Sequence, residues 1–254
     1  MTEEPVIRIV DLHKEFGENQ VLKGLDLDIY KGRINFIIGR SGGGKSVLLK
    51  HITGLLKPDR GRIVIGGQDI TRLGEKSMND IRKKFGMLFQ DGALFDSMTV
   101  GENVAFPLKA HTRLNRSKIE GLVREKLRLV GLEDIEQMMP SDISGGMRKR
   151  VGLARAMVLE PEILLFDEPT TGLDPIMSEQ VDELIVNTQN QLNVTSIVIS
   201  HDIPATLRIA HQVAMIYQGK IIIHGTPREV ADSRDPVVRQ FLAGEAEGPM
   251  HLEK

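Results

Sequence analysis

Cysteine and tryptophan are both absent from this chain of 254 residues, and only 4% of the residues are aromatic. The absence of cysteine excludes disulfides and thiolate metal sites. Long apolar runs are also missing, because runs such as Ile163–Phe166 and Ile221–Ile223 are far shorter than the roughly 20 residues needed to cross a bilayer. The first sixteen residues hold no apolar stretch of signal-peptide length. If the protein works at a membrane, we expect it to do so through another subunit.

An excess of charge of one sign is lacking as well. The 35 acidic residues nearly balance 33 lysines and arginines, which leaves a formal net charge of -2. This balance gives no electrostatic reason to expect nucleic acid as a partner. Apolar residues make up 41% of the chain. Length and composition therefore fit one large α/β domain, or one core with an inserted subdomain.

The first third of the chain predicts strands and one helix. Residues 6–12 and 21–30 alternate apolar with polar side chains, which is typical of half-exposed strands. Residues 35–39 form a compact apolar strand that runs into a glycine-rich turn, and residues 46–56 carry apolar side chains at helical spacing. Residues 61–65 are predicted as another strand. The pattern indicates an antiparallel sheet together with a strand–turn–helix unit.

The middle of the chain is predicted to be an inserted helical arm. Residues 92–155 are mainly helical in pattern, with Ser117 and Glu120 as a predicted capping box and Gly131 as a helix stop. By contrast, we expect the tail after Pro236 to be poorly ordered, above all from Gly244, where it is rich in glycine and glutamate.

Strand patterns return after the helical arm. A helix is predicted after Pro175, between strands that recur along the rest of the chain. Alternating strands and helices predict a mostly parallel sheet covered on both faces. The predicted strands are Ile163–Asp167, Ser196–Ser200, Val213–Tyr217 and Lys220–His224.

A phosphate-binding loop is the most specific motif in the chain. Residues 39–46 read Gly-Arg-Ser-Gly-Gly-Gly-Lys-Ser and match the P-loop pattern in full, between a predicted strand and a predicted helix. The glycines let backbone N–H groups wrap phosphate oxygens, Lys45 adds a positive charge, and the Ser46 hydroxyl suits Mg²⁺. The predicted nucleotide-binding residues are Gly39, Arg40, Ser41, Gly42, Gly43, Gly44, Lys45, Ser46 and Val47.

Two later strands end in side chains suited to phosphate chemistry. The strand over residues 163–167 ends in Asp167 and Glu168, and the strand over residues 196–200 is followed by His201. In a parallel sheet these ends meet at one edge, where ligands bind. We predict that Asp167 holds Mg²⁺ through water, that Glu168 polarises an attacking water, and that His201 contacts the γ-phosphate.

A second anion-binding segment follows the helical arm. Ser144, Gly145 and Gly146 stand where a helix is predicted to begin, and a helix start offers free N–H groups. One P-loop domain needs a single such cradle, so a second one, about a hundred residues away, suggests that it serves another copy's nucleotide. The segment Ile143–Met147 resembles the signature motif of ABC ATPases, usually written LSGGQ, and lies where that family places it.

The resemblance to ABC ATPases covers roughly residues 6–235. It implies an α/β P-loop core of the RecA-like type with a mostly parallel sheet, an N-terminal antiparallel β subdomain and an inserted helical subdomain. In that family Phe16 stacks on adenine, Gln90 touches Mg²⁺ and the attacking water, and Asp174 lies in a loop that crosses a head-to-tail dimer. Asp174-Pro175 also suits a helix start, and the two roles are compatible. The implied domains are 1–91 with 156–235 as the core, 92–155 as the helical arm and 236–254 as the tail.

One departure and one further likeness narrow the resemblance. Met147 replaces the usual signature glutamine and Arg148-Lys149 a polar pair, but Ser144–Gly146 is kept, so we expect hydrolysis to survive. This signature and the segment after Gln90 are similar to the branch that serves the Mla (maintenance of lipid asymmetry) phospholipid system of Gram-negative bacteria. That likeness implies a permease, a small STAS-domain subunit, an MCE-domain lipid-binding protein, and a peripheral position on the cytoplasmic face of the inner membrane. The apolar residues after Gln90 either receive the coupling helix of the permease or pack inside the helical arm; they are Ala93, Leu94, Phe95 and Met98.

Other functions remain open at this point. The nearest alternative is the ATPase of a polar importer, such as an amino-acid system, where a Gln-rich signature tail is more usual. A ribosome- or DNA-directed ABC protein is disfavoured by the single P-loop and by the lack of sustained heptads. A P-loop kinase or GTPase is disfavoured because no guanine-reading Asn-Lys-x-Asp is present and the signature segment would have no purpose.

Overall fold

The computed structural model describes residues 4–90 and 92–250. The chain divides into two compact units, one of Met1–Asn79 with Ile197–Lys254 and one of Asp80–Ser196. In chain order the elements are β1 (Pro5–Phe16), β2 (Asn19–Tyr30), β3 (Ile34–Ile38), α1 (Lys45–Ile52), β4 (Arg60–Ile65), β5 (Gln68–Asp69), α2 (Glu75–Arg82), β6 (Phe85–Leu88), α3 (Val100–His111), α4 (Arg116–Leu129), α5 (Gly145–Met157), β7 (Ile163–Asp167), α6 (Pro175–Leu192), β8 (Thr195–Ile199), α7 (Ile203–Ile209), β9 (Gln212–Tyr217), β10 (Lys220–Gly225), α8 (Pro227–Ala231) and α9 (Pro236–Ala243).

The first unit holds an antiparallel sheet with the strand order β2-β1-β4-β5. Strands β1 and β2 form a long hairpin in which Phe16 pairs with Asn19 at the turn. Ile7, Ile9 and Leu12 of β1 are buried. The alternation seen in residues 6–12 and 21–30 therefore does reflect strands with one face in the core.

The first unit also holds part of a second, mostly parallel sheet. Its strand order is β10-β9-β3, followed by the end of β8 from Ile197 to Ile199. Strands β3 and β9 run parallel with Ile38 opposite Met215, whereas β9 and β10 run antiparallel. All five residues of β3 are buried, as expected for a strand covered on both faces.

The second unit contains the strands β8, β7 and β6 in that order, with Thr195 and Ser196 as its part of β8. Strands β6 and β7 are parallel, and Leu88 lies opposite Phe166. The mixed α/β architecture predicted from the sequence, with a mostly parallel sheet and a separate antiparallel sheet, is confirmed.

The rest of the second unit is mainly helical. Residues 92–155 form the helices α3, α4 and α5, joined by loops and one short 3₁₀ turn. Helix α3 packs on both α4 and α5. The helical character of this segment is confirmed, whereas the division of the chain at residues 92 and 155 stays a prediction.

The predicted capping box at Ser117 and Glu120 is wrong. Helix α4 starts earlier, because the Asn115 side chain accepts a hydrogen bond from the Lys118 N–H at 3.0 Å and so caps the helix. Ser117 lies within the first turn, and Glu120 pairs instead with Arg116 at 2.7 Å.

The expectation of a poorly ordered tail is also wrong for residues 236–250. Residues 236–243 form α9, and the Gln240 side chain accepts a hydrogen bond from the Met250 N–H at 2.7 Å. Gln240 and Met250 are both buried. The polar composition wrongly predicted disorder, because one buried amide, that of Gln240, folds the tail back onto α9.

No helix in the described ranges 4–90 and 92–250 has the length and apolar character needed to cross a membrane.

Candidate functional site

The glycine-rich loop of the first unit joins β3 to α1. Gly44 occupies the N-cap position of α1 with φ of 101°, and its carbonyl accepts from the Leu48 N–H at 2.8 Å. The buried Lys45 ammonium donates to the Gly39 carbonyl at 2.7 Å and the Arg40 carbonyl at 3.0 Å. These bonds hold the loop around the lysine, while the Ser46 side chain lies exposed on the first turn of the helix.

Gly39 has to be glycine because of its surroundings. Its φ is 146°, and a Cβ there would run into the Ile216 carbonyl oxygen of β9. The loop therefore leaves β3 directly against the neighbouring strand. The remaining loop residues are placed as predicted between β3 and α1, with Ser41 and Gly42 exposed and Gly43 donating its N–H to the Arg40 carbonyl at 3.1 Å.

Phe16 lies exposed at the end of β1, with 48% of its surface accessible. The Lys14 ammonium lies 5.4 Å from the centroid of its ring and pairs with Asp59 at 2.8 Å. The hydrogen bond from Lys14, with a second from the Glu15 N–H, lowers the pKa of the Asp59 carboxyl. Phe16 is thus an exposed aromatic ring on an anchored strand, which suits it for stacking.

His201 follows β8 in the first unit. The Ser200 N–H donates to the Ile37 carbonyl at 3.4 Å, so the end of β8 lies beside the end of β3. His201 is exposed and comes one residue later, whereas Gly39 comes two residues after Ile37. The structure therefore places His201 one strand from the start of the glycine-rich loop.

Gln90, Asp167 and Glu168 leave one edge of the sheet in the second unit. Because Leu88 lies opposite Phe166 on parallel strands, Gln90 and the acidic pair emerge side by side. Gln90 is exposed, and the two carboxylates are half-buried. The structure thus brings Gln90, whose role the family resemblance implies, to the same sheet edge as the acidic pair.

Glu168 adopts a backbone that side chains rarely adopt, with φ of 51°. Such a backbone conformation costs about 1–3 kcal/mol and persists only where the surrounding structure enforces it. The Thr171 N–H donates to the Glu168 carbonyl at 3.3 Å, and the Thr171 hydroxyl donates to Glu168 Oε2 at 3.2 Å. This tight turn sets the direction of the carboxylate.

The signature segment begins α5. The Ser144 hydroxyl accepts from the Met147 N–H at 3.2 Å and caps the helix, as predicted for a helix start. The backbone of Gly146 packs so closely on the Met177 side chain that a Cβ would run into Met177 Cε. Gly145 is half-buried beside it.

Asp174 caps α6 by accepting from the N–H groups of Ile176 at 2.9 Å and Met177 at 3.0 Å. Its local role is therefore confirmed, and its role in a dimer stays a prediction. The next residues include Ile176, which exposes 74% of its surface.

Three residues that the sequence did not single out fix the loops of the second unit. Lys149 is buried in α5 and donates to two carbonyls of the loop after Glu168, and Arg155 donates to the Gly92 and Ala93 carbonyls at 2.7 and 2.8 Å. Burial lowers the pKa of the Arg155 guanidinium. Asn103 is fully buried and bonds the backbone of the loop before α3. One signal was available for Lys149, since its spacing from Gly146 and Leu153 puts it on the buried stripe of a helix.

A sequence model of the ABC transporter family matches residues 22–171. The chain belongs to the ABC transporter ATPase family. One relative is the probable ribonucleotide transport ATP-binding protein mkl of Mycobacterium leprae. The two sequences are 44% identical over an alignment that covers 98% of this chain and 72% of that protein. Another relative is the intermembrane phospholipid transport ATP-binding protein MlaF of Haemophilus influenzae. It is 43% identical to this chain, and the alignment covers 98% of this chain and 94% of that protein.

Solved structures of ABC ATPases share the fold. A TM-score of 0.84 and 31% identity relate the chain to cbiO1 of Clostridium perfringens, part of an ABC transporter complex, over 94% of both chains. The dimeric ATP-binding cassette MJ0796, bound to ADP and phosphate in a post-hydrolysis state, matches with a TM-score of 0.79 and 30% identity. That match covers 87% of this chain and 99% of the other. The fold of this chain is thus the ABC ATPase fold.

Membership of the ABC transporter ATPase family defines the activity. The chain is the ATP-binding subunit of an ABC transporter, and its hydrolysis of ATP is coupled to transport. As a family member it is expected to pair with a second copy and to work with a membrane permease.

Proposed function

We propose that this ABC ATPase energises phospholipid transport between the inner and outer membranes. The observation that carries the proposal is the 43% identity to 94% of a Haemophilus influenzae protein named for intermembrane phospholipid transport. The mycobacterial relatives named for ribonucleotide transport are matched over 72% of their length or less. None of the relatives described above is named for amino-acid transport, so we favour phospholipid over the polar importer.

The site residues take the following roles in ATP binding. The N–H groups of the Gly39–Ser46 loop and the Lys45 ammonium hold the phosphates, and Phe16 stacks on the adenine. The positive φ angles of Gly42 and Gly44 and the exposed Phe16 ring support these roles. In trans, Ser144, Gly145 and Gly146 of one copy close on the ATP of the other, and the Asp174 loop crosses between the two.

Mg²⁺ fits the hard oxygen donors of the Ser46 hydroxyl, the Gln90 amide and the Asp167 carboxylate, the last through water. When bound, Mg²⁺ would neutralise charge on the phosphates. The exposed Ser46 side chain, and the shared sheet edge of Gln90 and Asp167, support this assignment.

Glu168 accepts a proton from the attacking water, whose oxygen forms a bond to the γ-phosphorus as the bond to the β,γ-bridging oxygen breaks and ADP leaves. His201 contacts the γ-phosphate, and Gln90 orients the water. The turn that ties Glu168 to Thr171 supports the first role, because a general base needs a fixed direction.

The loop after Gln90 receives the coupling helix of the permease. Among its apolar residues Phe95 exposes 43% of its surface, and its ring centroid lies 5.0 Å from that of Phe106. Arg155 and Asn103 hold the backbone of this loop, so a push on it is carried into α5 and α3. The apolar residues are Ala93, Leu94, Phe95 and Met98.

The further partners follow from the phospholipid assignment. We infer a small STAS-domain subunit bound to the ATPase, and an MCE-domain lipid-binding protein on the periplasmic side of the permease. The ATPase then lies peripherally on the cytoplasmic face of the inner membrane.

Affinity purification of the tagged chain from detergent-solubilised membranes tests the proposal. We expect a permease to co-purify with native phospholipid, and the reconstituted complex to move fluorescent phospholipid between vesicles with ATP but not with Glu168→Gln. Co-purification of a soluble amino-acid- or nucleotide-binding protein, with no lipid transfer, would overturn the phospholipid assignment.

A further inference from the structure

Lys149 is a lysine in an unusual place. It lies in α5, five residues after Ser144, and only 5% of its surface is exposed. Its ammonium donates to the Pro169 carbonyl at 2.7 Å and to the Thr171 carbonyl at 2.9 Å. Burying a charged amine is unfavourable unless it is hydrogen-bonded, so these two carbonyls are strongly constrained by it.

Both carbonyls belong to the turn that directly follows Glu168. Thr171 donates its N–H to the Glu168 carbonyl and its hydroxyl to Glu168 Oε2, at 3.3 and 3.2 Å. A continuous chain of hydrogen bonds thus runs from Lys149 through Thr171 to the carboxylate. The left-handed backbone of Glu168 needs such support, because this conformation persists only where its surroundings enforce it.

We propose that Lys149 is a positioning residue for Glu168, and that it couples the signature segment to the hydrolysis site of the same chain. The inference rests on the proposed roles of Glu168 as general base and of Ser144–Gly146 as the cradle for the partner copy's ATP. Because Lys149 lies one helical turn beyond Gly146, a shift of the signature helix is passed to the Glu168 turn. Each copy's hydrolysis then depends on whether its signature holds the partner's nucleotide.

The helix does not depend on Lys149 for its own attachment. Arg150 donates to the Gln180 side chain of α6 at 2.6 Å, and Arg155 holds the Gly92 and Ala93 carbonyls. Loss of the ammonium therefore removes two hydrogen bonds from the Glu168 turn while α5 keeps its other attachments. This separation makes the positioning role testable.

Lys149→Met is the decisive variant, because it keeps the length of the side chain and removes the donor. We expect kcat to fall on the order of 100-fold, since a displaced catalytic group costs about that much, with KM for ATP unchanged. Lys149→Arg, which also donates to two acceptors, should restore most of kcat. The nucleotide retained by Lys149→Met should be mainly unhydrolysed ATP, as for Glu168→Gln.

Lys126→Met is the matched control. Lys126 is equally buried, in α4, and pairs with Glu125 at 2.9 Å and Glu160 at 3.4 Å, away from the Glu168 turn. We expect it to keep wild-type kcat. Thr171→Val, which removes the hydroxyl at nearly constant volume, should lower kcat as Lys149→Met does, and it tests the same chain of bonds if Lys149→Met fails to fold.

The outcomes separate this inference from the function on which it rests. If Lys149→Met or Thr171→Val hydrolyses ATP at the wild-type rate, or if KM rises while kcat holds, the positioning role is wrong. If Glu168→Gln itself turns over ATP normally, the assignment of the general base fails first. Trapped ATP in Glu168→Gln with normal turnover in Lys149→Met overturns only the role of Lys149.

Discussion

Glu168 combines three structural features that support its proposed role. Its backbone is left-handed, its carboxylate is tied to Thr171, and it directly follows a strand with four buried residues. The local pattern of a buried strand that ends in two acids predicted where it lies. The left-handed turn was not predictable, since it results from bonds that form only in the folded chain.

Glu168→Gln removes the proposed general base and keeps the shape of the side chain. We expect kcat for ATP hydrolysis to fall by roughly 10²–10⁴-fold, the usual contribution of a general base, with ATP affinity kept. Phosphate release and equilibrium binding of a fluorescent nucleotide measure the two quantities. Glu162→Gln, an exposed acid just before the same strand, is the control and should behave as wild type. Normal turnover in Glu168→Gln would remove Glu168 as the base.

His51 is a second informative residue. It is fully buried in α1, its Nδ1 lies 2.7 Å from the Val47 carbonyl oxygen, and its Nε2 has no hydrogen-bond partner among the described residues. Since a carbonyl only accepts, Nδ1 carries the proton of the neutral ring. Desolvation lowers the pKa of His51 below its ordinary value of 6.5, even though the Val47 carbonyl opposes the shift.

The free energy of unfolding should therefore fall with pH below about 6.5. The unfolded chain binds a proton there that folded His51 does not, so stability is full above 6.5 and is lost as pH falls toward the folded-state pKa, by at most about 1.4 kcal/mol per pH unit. Urea unfolding at pH 7.5, 6.5 and 5.5 measures the trend. In His51→Asn, whose amide N–H can still reach Val47, the decline should be shallower. Parallel curves for the two proteins would show that His51 does not contribute.

At the scale of elements, capping side chains decide where helices begin. Asn115 starts α4 and Ser144 starts α5, while Thr99 and Glu102 form a capping box at α3. Helix existence was predictable from apolar spacing, but the choice between Asn115 and Ser117 as the cap was not. Both residue types cap well, and only the path of the preceding loop selects one of them.

Asp174 offers a test of an element boundary. Asp174→Ala should lower the free energy of unfolding by about 1 kcal/mol, because two N–H groups of α6 lose their acceptor, whereas Asp174→Asn should stay within about 0.5 kcal/mol of wild type. Urea denaturation measures both. Unchanged stability in the alanine variant would contradict the capping role. Loss of ATPase activity in the stable asparagine variant would support the proposed interface role.

At the scale of the whole molecule, the two segments that we propose to bind phosphate lie in different units. The glycine-rich loop lies in the first unit and the signature helix in the second. The family relationship and the dimeric, ADP- and phosphate-bound relative support a working unit of two copies. Dimerisation should then depend on the signature serine.

In the Glu168→Gln background, ATP should double the mass measured by size exclusion with light scattering. Adding Ser144→Arg should keep the protein monomeric, because a large cation replaces the hydroxyl that caps α5 at the proposed cradle. Ser117→Arg, an exposed serine on α4, is the control and should still dimerise. Dimers in the Ser144→Arg protein would contradict the shared-nucleotide arrangement.

The sequence by itself determined the family, the phosphate-binding loop, the acidic strand end and the signature. Each of these is a contiguous stretch, and its residue types and spacing are written directly in the chain. Only the tertiary structure decided which distant groups meet: Lys149 with the Pro169 carbonyl, Asn103 with the Phe95 backbone, and Gln240 with Met250. Such buried polar contacts join residues whose separation along the chain says nothing of their distance, because packing brings them together.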